Sequence, residues 1–412
     1  MEQTGNSITS ADIKRIASRA GKAIIDSRAY WLSFVLPAAI LFVSYILFQV
    51  WPFGERSVLS LDLNAQYVYY YDYMYDVFAG KESIWYSWSR NLSGEFVGII
   101  GYYLASPFNF LVWIYPREMI TEGLMTMMLA KAGAAGLSCA FFLRRHRGCS
   151  RTTTVTFSVM WALCGFFVVQ TMNPMWLDGI VALPLVAMGV EQICDKRKFL
   201  LYVLSLVYIF VANFYIGYMI GFFSAMYFMW YLCSGKSANR HFGEYCGSVL
   251  MYGAGSVCAI LMSCFMILPV YKSLSNGKFE FSDPDYSLVE NFNIADIFIK
   301  LFPTEYDTVR MEGMPILYCG TLALVCAVMY FTCRSFKARE RISSAVFIGA
   351  MVLCMYIRPV DMMWHGGQMP NWLPYRYSFM LSFLLIVFGA QAFDKLNKVP
   401  GKSFRKTFVI LL

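Results

Sequence analysis

The chain has 412 residues, of which 58% are hydrophobic, 18% aromatic and only 15% charged. Soluble domains carry about a quarter charged residues, so this balance excludes an ordinary water-soluble enzyme and indicates an integral membrane protein. The formal net charge of +8 is accounted for below by membrane topology and gives no support to nucleic-acid binding.

Residues 1–29 are polar and basic, and the first apolar run, Tyr30–Val50, is long enough to span. It is therefore expected to serve as both signal and anchor. The first outer link, 51–119, contains "LSLDLNAQYVYYYDYMYDVFAG" at 59–80. Here Tyr67, Tyr70, Tyr71, Met74, Tyr75 and Phe78 recur at helical spacing, with Asp72 and Asp76 on another face and Gly80 as a stop. That pattern predicts an amphipathic helix lying along the membrane interface. Asp62 at its start reads either as an N-cap or as an acid held at the water–lipid boundary and available as a general base. The next stretch, 96–116, is apolar but interrupted by Gly98, Gly101, Ser106, Pro107 and Asn109. It is expected to be interfacial or re-entrant.

Nine more spans are expected, each near the roughly 20 residues that cross a bilayer core as helix. They are Ile120–Leu143, Thr153–Thr171, Leu177–Ile193, Phe199–Ala212, Tyr215–Cys233, Tyr245–Tyr271, Met314–Cys333, Ile342–Ile357 and Tyr377–Phe393. The two runs around Asn213 would make one helix of about 52 Å, so a hairpin or break is expected there. Lys131 lies alone within the second run and calls for a partner or a water-filled cavity. Beyond Lys406 the chain ends in "TFVILL", too short to cross; residues 394–412 are read as a cytoplasmic tail, with that end either lying at the surface or starting a further span.

Assigned to alternate sides, the short links "RRHRGCSR", "DKRK", "GKSANRHF" and "RSFKARER" join both termini and collect most of the 34 Lys and Arg residues. The opposite links, 51–119, "MNPMWLDG", 272–313 and 358–376, collect most of the 26 acids. Positive residues mark the cytoplasmic side, which puts the N-terminus inside and the long loops outside. The twelve cysteines fall in expected helices or inner links and read as apolar fillers. The fold expected is an all-α polytopic membrane protein of about ten transmembrane helices, spanning 30–393, with interfacial helices in its first outer loop.

"DLNAQY", "YYLASPFNFL", "NPMWLDGIVALPLVAMGVE", "NFYIGYMIGFFSAMYF" and "NWLPYRYSFMLSFLLI" follow one another along the chain. Together they resemble the bacterial YfhO family of polytopic membrane proteins, regarded as part of the GT-C superfamily of lipid-dependent glycosyltransferases. The resemblance implies a GT-C-like fold and an inverting transferase on the outer face of the membrane. Such an enzyme takes a sugar from a polyprenyl-phosphate carrier in the membrane lipid and hands it to a cell-envelope polymer, such as teichoic or lipoteichoic acid. It also implies a partner enzyme that makes the donor and a flippase that delivers it. In the superfamily an acid just past the first span is the catalytic base, and Asp62 occupies that place. Family members are typically longer than this chain and add a further outer domain and more spans.

Inverting transfer needs a base for the acceptor hydroxyl and cationic or hydrogen-bonding groups for the departing phosphate. Asp62 is the expected base, with Gln66 one turn along to orient a hydroxyl. Glu95 is the second candidate, with a solvated loop acid as its other reading. Arg376, flanked by Trp372, Tyr375 and Tyr377, is expected at the phosphate, with a snorkelling anchor as its alternative. Arg90 and Asn371 are further donor candidates, Asn371 also reading as a turn residue. Trp176 and Asp178 are expected to line the sugar site, or to be an interfacial ring and turn chemistry. Asp361 and His365 are four apart, but two ligands without a third do not make a metal site; a divalent metal stays possible, without support from the residues. Two other functional classes remain open, a transporter or flippase of lipid-linked sugars and a non-catalytic partner in envelope assembly.

Overall fold

The computed structural model describes residues 10–89, 93–234, 241–275, 284–304, 313–370, 372–398 and 400–411. After α1 (Ser10–Leu47), the first outer link forms a π-helical turn, Leu63–Tyr67, that runs into α2 (Val68–Phe78). A hairpin of β1 (Tyr86–Ser87) and β2 (Gly94–Glu95) follows. Next comes a broken run of α3 (Val97–Ile99), a π turn at Ile100–Leu104, a 3-10 turn at Pro107–Asn109, and α4 (Phe110–Trp113). The bundle continues with α5 (Ile120–Ala140), α6 (Arg151–Ala162), α7 (Gly165–Val169), α8 (Leu177–Lys196), α9 (Leu200–Ala212) and α10 (Phe214–Cys233). It closes with α11 (Phe242–Ser275), α12 (Thr321–Thr332), α13 (Ala338–Tyr356), α14 (Arg358–Trp364), α15 (Phe379–Asp394) and α16 (Gly401–Leu411).

The all-α polytopic fold is as expected, but the ten expected spans divide into classes. Among the described residues six helical stretches are long and apolar enough to cross a membrane: Ser27–Leu47, Arg117–His146, Arg151–Met172, Pro174–Lys196, Phe214–Cys233 and Phe242–Ser275. α9, α12 and α15 are apolar but shorter, and α13 carries Arg339, Glu340 and Arg341 in its first turn. The expected span from Met314 starts as helix only at Thr321, because Pro315 and Gly320, the latter at φ 103°, keep 313–320 extended. That extended run is buried within the bundle and Tyr318 O accepts from Gly165 N at 2.7 Å, the condition under which irregular backbone is tolerated at such depth.

Burial ranks the helices. α8 and α15 form the centre, whereas the spanning part of α1 lies at the edge. The edge helix is joined to α5 by small residues. Pro37 of α1 has no N–H to give to the Ser33 carbonyl, and Gly136 of α5 packs directly against that carbonyl. One turn away Gly133 faces the Phe34 ring, where a Cβ would meet it at 2.8 Å. Close approach of backbones through small residues is the usual means of association between spans, since lipid supplies little hydrophobic drive.

At the C-terminal end of α8, buried Glu191 pairs with Arg147 and with His146 Nε2 at 2.6 Å, and accepts from Tyr227 at 2.6 Å. His146 is thus part of a structural cluster. Replacing Gly136 by Val should force α1 off α5 and cost about 1–3 kcal/mol, read as a lower melting temperature of the detergent-solubilised protein. Gly253→Ala in α11, which meets open space, should leave that temperature unchanged or slightly raised.

Candidate functional site

The turn that carries Asp62 differs from the expected N-cap. Asp62 has helical dihedrals and makes no capping bond with its side chain. The first-turn N–H groups are already satisfied by backbone: Leu63 N donates to Ser60 O, and Asn64 N and Ala65 N donate to Leu61 O. Leu61 takes a left-handed φ of 49° to present that carbonyl, a strained conformation for a branched side chain. The Asp62 carboxylate is therefore exposed and released from capping, and its Oδ2 lies 3.2 Å from the Tyr67 hydroxyl. Asn173 Oδ1 is 3.0 Å from the same hydroxyl. Burial, then nearby Tyr103 and Asp62, push the Tyr67 phenol well above its usual range, so it stays protonated as a donor.

The tyrosine face of α2 has the expected spacing but a different partner. It packs on the broken run 96–116 in place of lipid. Tyr71 donates to Asn109 Oδ1 at 3.1 Å, and the Tyr75 hydroxyl reaches the carbonyls of Val112 and Tyr115 at 3.1 and 2.9 Å. Glycine and proline breaks leave carbonyls without helical donors, and phenols supply them. Asp72 and Asp76, expected on a solvated face, are both held by Arg117, Asp72 in a two-pronged contact at 2.6 Å.

From Asp62 a wall of rings leads across the site. Tyr67 lies 4.8 Å from Tyr103, and Tyr103 4.6 Å from Tyr102. The Tyr102 hydroxyl accepts from Trp176 Nε1 at 3.1 Å and from Arg376 Nη1 at 3.4 Å. Tyr103 is acted on electrostatically by both Arg376 and Asp62, so one phenol lies within range of the cation and the acid. Gln66 is exposed beside Asp62 and donates to the Tyr70 hydroxyl at 2.7 Å.

Arg376 follows two residues, Leu373 and Tyr375, with left-handed φ. Its guanidinium donates to the carbonyls of Leu373 and Trp372 at 3.2 and 2.9 Å and lies over Trp176 at 4.6 Å and Tyr215 at 5.2 Å. Face contacts of this kind contribute about 0.5–2 kcal/mol, yet among the described residues no carboxylate pairs with it. A half-buried cation so placed retains donor capacity and charge for an anion. Asn213, at the break between α9 and α10, caps α10 through Ile216 N and donates to Tyr102 O, each at 2.8 Å. The break expected there is thus also a support of the ring wall.

Three expected site residues take other places. Trp176 is only 2% exposed and its face is taken by Arg376, so it is a platform for the cation and leaves no open face for a sugar. Asp178 is fully buried: Lys131 Nζ meets its Oδ2 at 2.6 Å, and Ser106 and Tyr208 donate to Oδ1 at 2.7 and 2.5 Å. With both oxygens occupied it is removed from a sugar site, and Lys131 takes the ion-pair reading. Lys131 Nζ also donates to Pro174 O at 2.8 Å, tying the pair to the turn that carries Asn173 and Trp176. Glu95 is neither solvated nor beside Asp62's carboxylate contacts; it accepts from Gly98 N at 2.8 Å and from Ser273 of α11 at 2.5 Å. Arg90 and Asn371 lie outside the described residues. Among the described residues no group of three His, Cys, Asp or Glu could hold a metal ion.

Tyr67, Tyr102, Tyr103 and Tyr215 were missed as site residues in the sequence. The signal available was the "GYYL" pair set just before the Ser106–Pro107 break, where phenols and stray carbonyls coincide.

A family model described as "Bacterial membrane protein YfhO" matches residues 33–412, which covers most of the chain. No curated protein matches it.

Breaking the Lys131–Asp178 pair from one side should be severe. Lys131→Met leaves a buried unpaired carboxylate and should cost about 3–5 kcal/mol, while Lys131→Met combined with Asp178→Leu should recover much of that loss. Thermal unfolding of the three proteins in one detergent measures both.

Proposed function

Because the chain belongs to the YfhO family of bacterial membrane proteins, we propose that it is an inverting glycosyltransferase on the outer face of the membrane. The donor is a sugar on a polyprenyl-phosphate carrier, and the acceptor is a cell-envelope polymer of the teichoic or lipoteichoic acid kind. The observation that carries this reading is the pairing of an exposed, uncapped Asp62 with an Arg376 that no described carboxylate neutralises, joined by one wall of tyrosines.

In this reading the acceptor hydroxyl attacks the anomeric carbon from the face opposite the phosphate. Asp62 takes the hydroxyl proton as the new carbon–oxygen bond forms. The bond from the anomeric carbon to the phosphate oxygen breaks with its electron pair on that oxygen, and Arg376 stabilises the resulting charge. Gln66 and the Tyr67 hydroxyl orient the acceptor or a sugar hydroxyl beside the base. The polar break at Asn213 and the outer ends of α8 and α15 bring these groups to one level, which supports a site at the membrane boundary, where a lipid phosphate is met.

The purified full chain should move sugar from a polyprenyl-phosphate donor to an envelope polymer. Asp62→Asn should lower that rate by at least about a hundredfold while the protein still folds and binds the lipid carrier, and wild-type transfer by Asp62→Asn would overturn the assignment. Arg376→Gln should weaken donor binding by roughly tenfold to a hundredfold.

The orientation proposed puts 51–119 outside and 144–151 inside. In a background without cysteine, a cysteine at Ser89 should react with a membrane-impermeant maleimide in intact cells, and one at Gly148 only after the cells are opened. The reverse pattern would invert the topology.

A further inference from the structure

Asp361 and His365, four residues apart, are 3% and 4% exposed. Their segment is gripped from two sides. Tyr215, Tyr218 and Phe222 lie on one face of α10 at spacings of three and four. Tyr218 donates to Met363 O at 2.7 Å, and Phe222 packs on Trp364 at 4.7 Å. From the turn just before α15, Tyr377 stacks on Trp364 at 4.3 Å and donates to Asp361 Oδ1 at 2.7 Å. The imidazole of His365 joins the two sides: its Nδ1 is 2.6 Å from the Tyr215 hydroxyl and its Nε2 is 3.6 Å from Asp361 Oδ1.

Burial holds His365 below its ordinary range, so the ring is neutral and carries one proton. The negative carboxylate facing Nε2 from 3.6 Å favours the tautomer with the proton there, in which Nδ1 accepts from the Tyr215 O–H. The Tyr215 ring in turn carries the Arg376 guanidinium at 5.2 Å. The imidazole and the phenol are hydrogen-bonded, the phenol ring carries the cation of the site, and the buried carboxylate faces the far nitrogen of the imidazole at 3.6 Å, an electrostatic contact longer than a hydrogen bond. Apolar residues of the same size would pack this corner with no polar groups to desolvate.

We propose that Asp361 and His365 are positioning residues for the phosphate site, acting through the Tyr215 hydroxyl to fix the ring on which Arg376 rests. The inference rests on Arg376 as the group that holds the lipid phosphate. A guanidinium on a ring that can turn must be ordered again at each binding event, and fixing the ring beforehand removes that loss of affinity. Tyr102 steadies the same guanidinium from the other element, through its hydroxyl at 3.4 Å.

The test is binding of polyprenyl monophosphate to the detergent-solubilised full chain, followed by intrinsic tryptophan fluorescence, since Trp176 stacks on Arg376. His365→Phe and Tyr215→Phe should each weaken binding about fivefold to tenfold, the worth of one net hydrogen bond. The double variant should be no weaker than either single one, because both cut the same link. His365→Asn, whose amide can place a polar atom near Nδ1, should restore most of the affinity. Effects that multiply in the double variant, or single variants that bind as wild type while Arg376→Gln does not bind, would overturn the positioning role. If wild type fails to bind, or Arg376→Gln binds equally well, the phosphate reading itself falls and the inference with it. Melting temperatures check folding. Should His365→Phe not fold, the loss in Tyr215→Phe and near-wild-type binding by His365→Asn are the expected pair, and two unchanged affinities overturn the proposal.

Discussion

Backbone carbonyls away from water must find donors, and the region built from residues 59–116 is organised around that constraint. The run 96–116 could have been a span on hydrophobicity alone, but its helix ends at Leu104, Ser106 and Pro107 interrupt it, and it resumes only as short turns over 107–113. Each break exposes acceptors. Tyr75 meets two of them and Trp113 Nε1 meets Tyr71 O at 3.2 Å, so α2 and the broken run satisfy one another. The same constraint frees Asp62, because Leu61 and Ser60 carbonyls take the N–H groups that a capping aspartate would have taken.

Charge is managed by depth. Lys131–Asp178 and the Glu191 cluster are buried and paired, and each carboxylate oxygen has a partner from a different helix. Such pairs add little net stability over apolar packing but make any one-sided loss severe. At the surface, Asp72 and Asp76 are neutralised by Arg117. Within the ring wall, Asp62 and Arg376 have no opposite charge among the described residues, and that contrast with the buried pairs underlies the functional reading.

Much of the architecture was legible in the sequence because a membrane restricts what a chain can do. Apolar runs of sufficient length become helices, and every one of the ten runs contains one; the break at Asn213 followed from length. What misled was composition without context: Met314–Cys333 reads as one apolar run, yet Pro315 and Gly320 delay its helix, and the buried 313–320 strand-like run gains a partner in Gly165. The tyrosines of α2 have interfacial chemistry, and only the neighbouring broken run decides that they face protein. Asp178 follows a tryptophan in a short outer turn and reads as accessible, while Lys131, forty-seven residues earlier, claims it.

The sequence by itself determined that this is a polytopic helical membrane protein, that basic and acidic links segregate, and that an acid after the first span and an arginine before the last apolar helix carry suitable chemistry. These are properties of single segments, set by residue type and spacing. The tertiary structure alone decided that Asp62 is uncapped, that Trp176 lies under Arg376, that Asp178 is spent on Lys131, and that Asp361 and His365 reach the site through Tyr215. Each of those depends on which segments meet, and contacts between residues 62, 102, 176, 215 and 376 arise from the packing of separate helices, which no local pattern encodes.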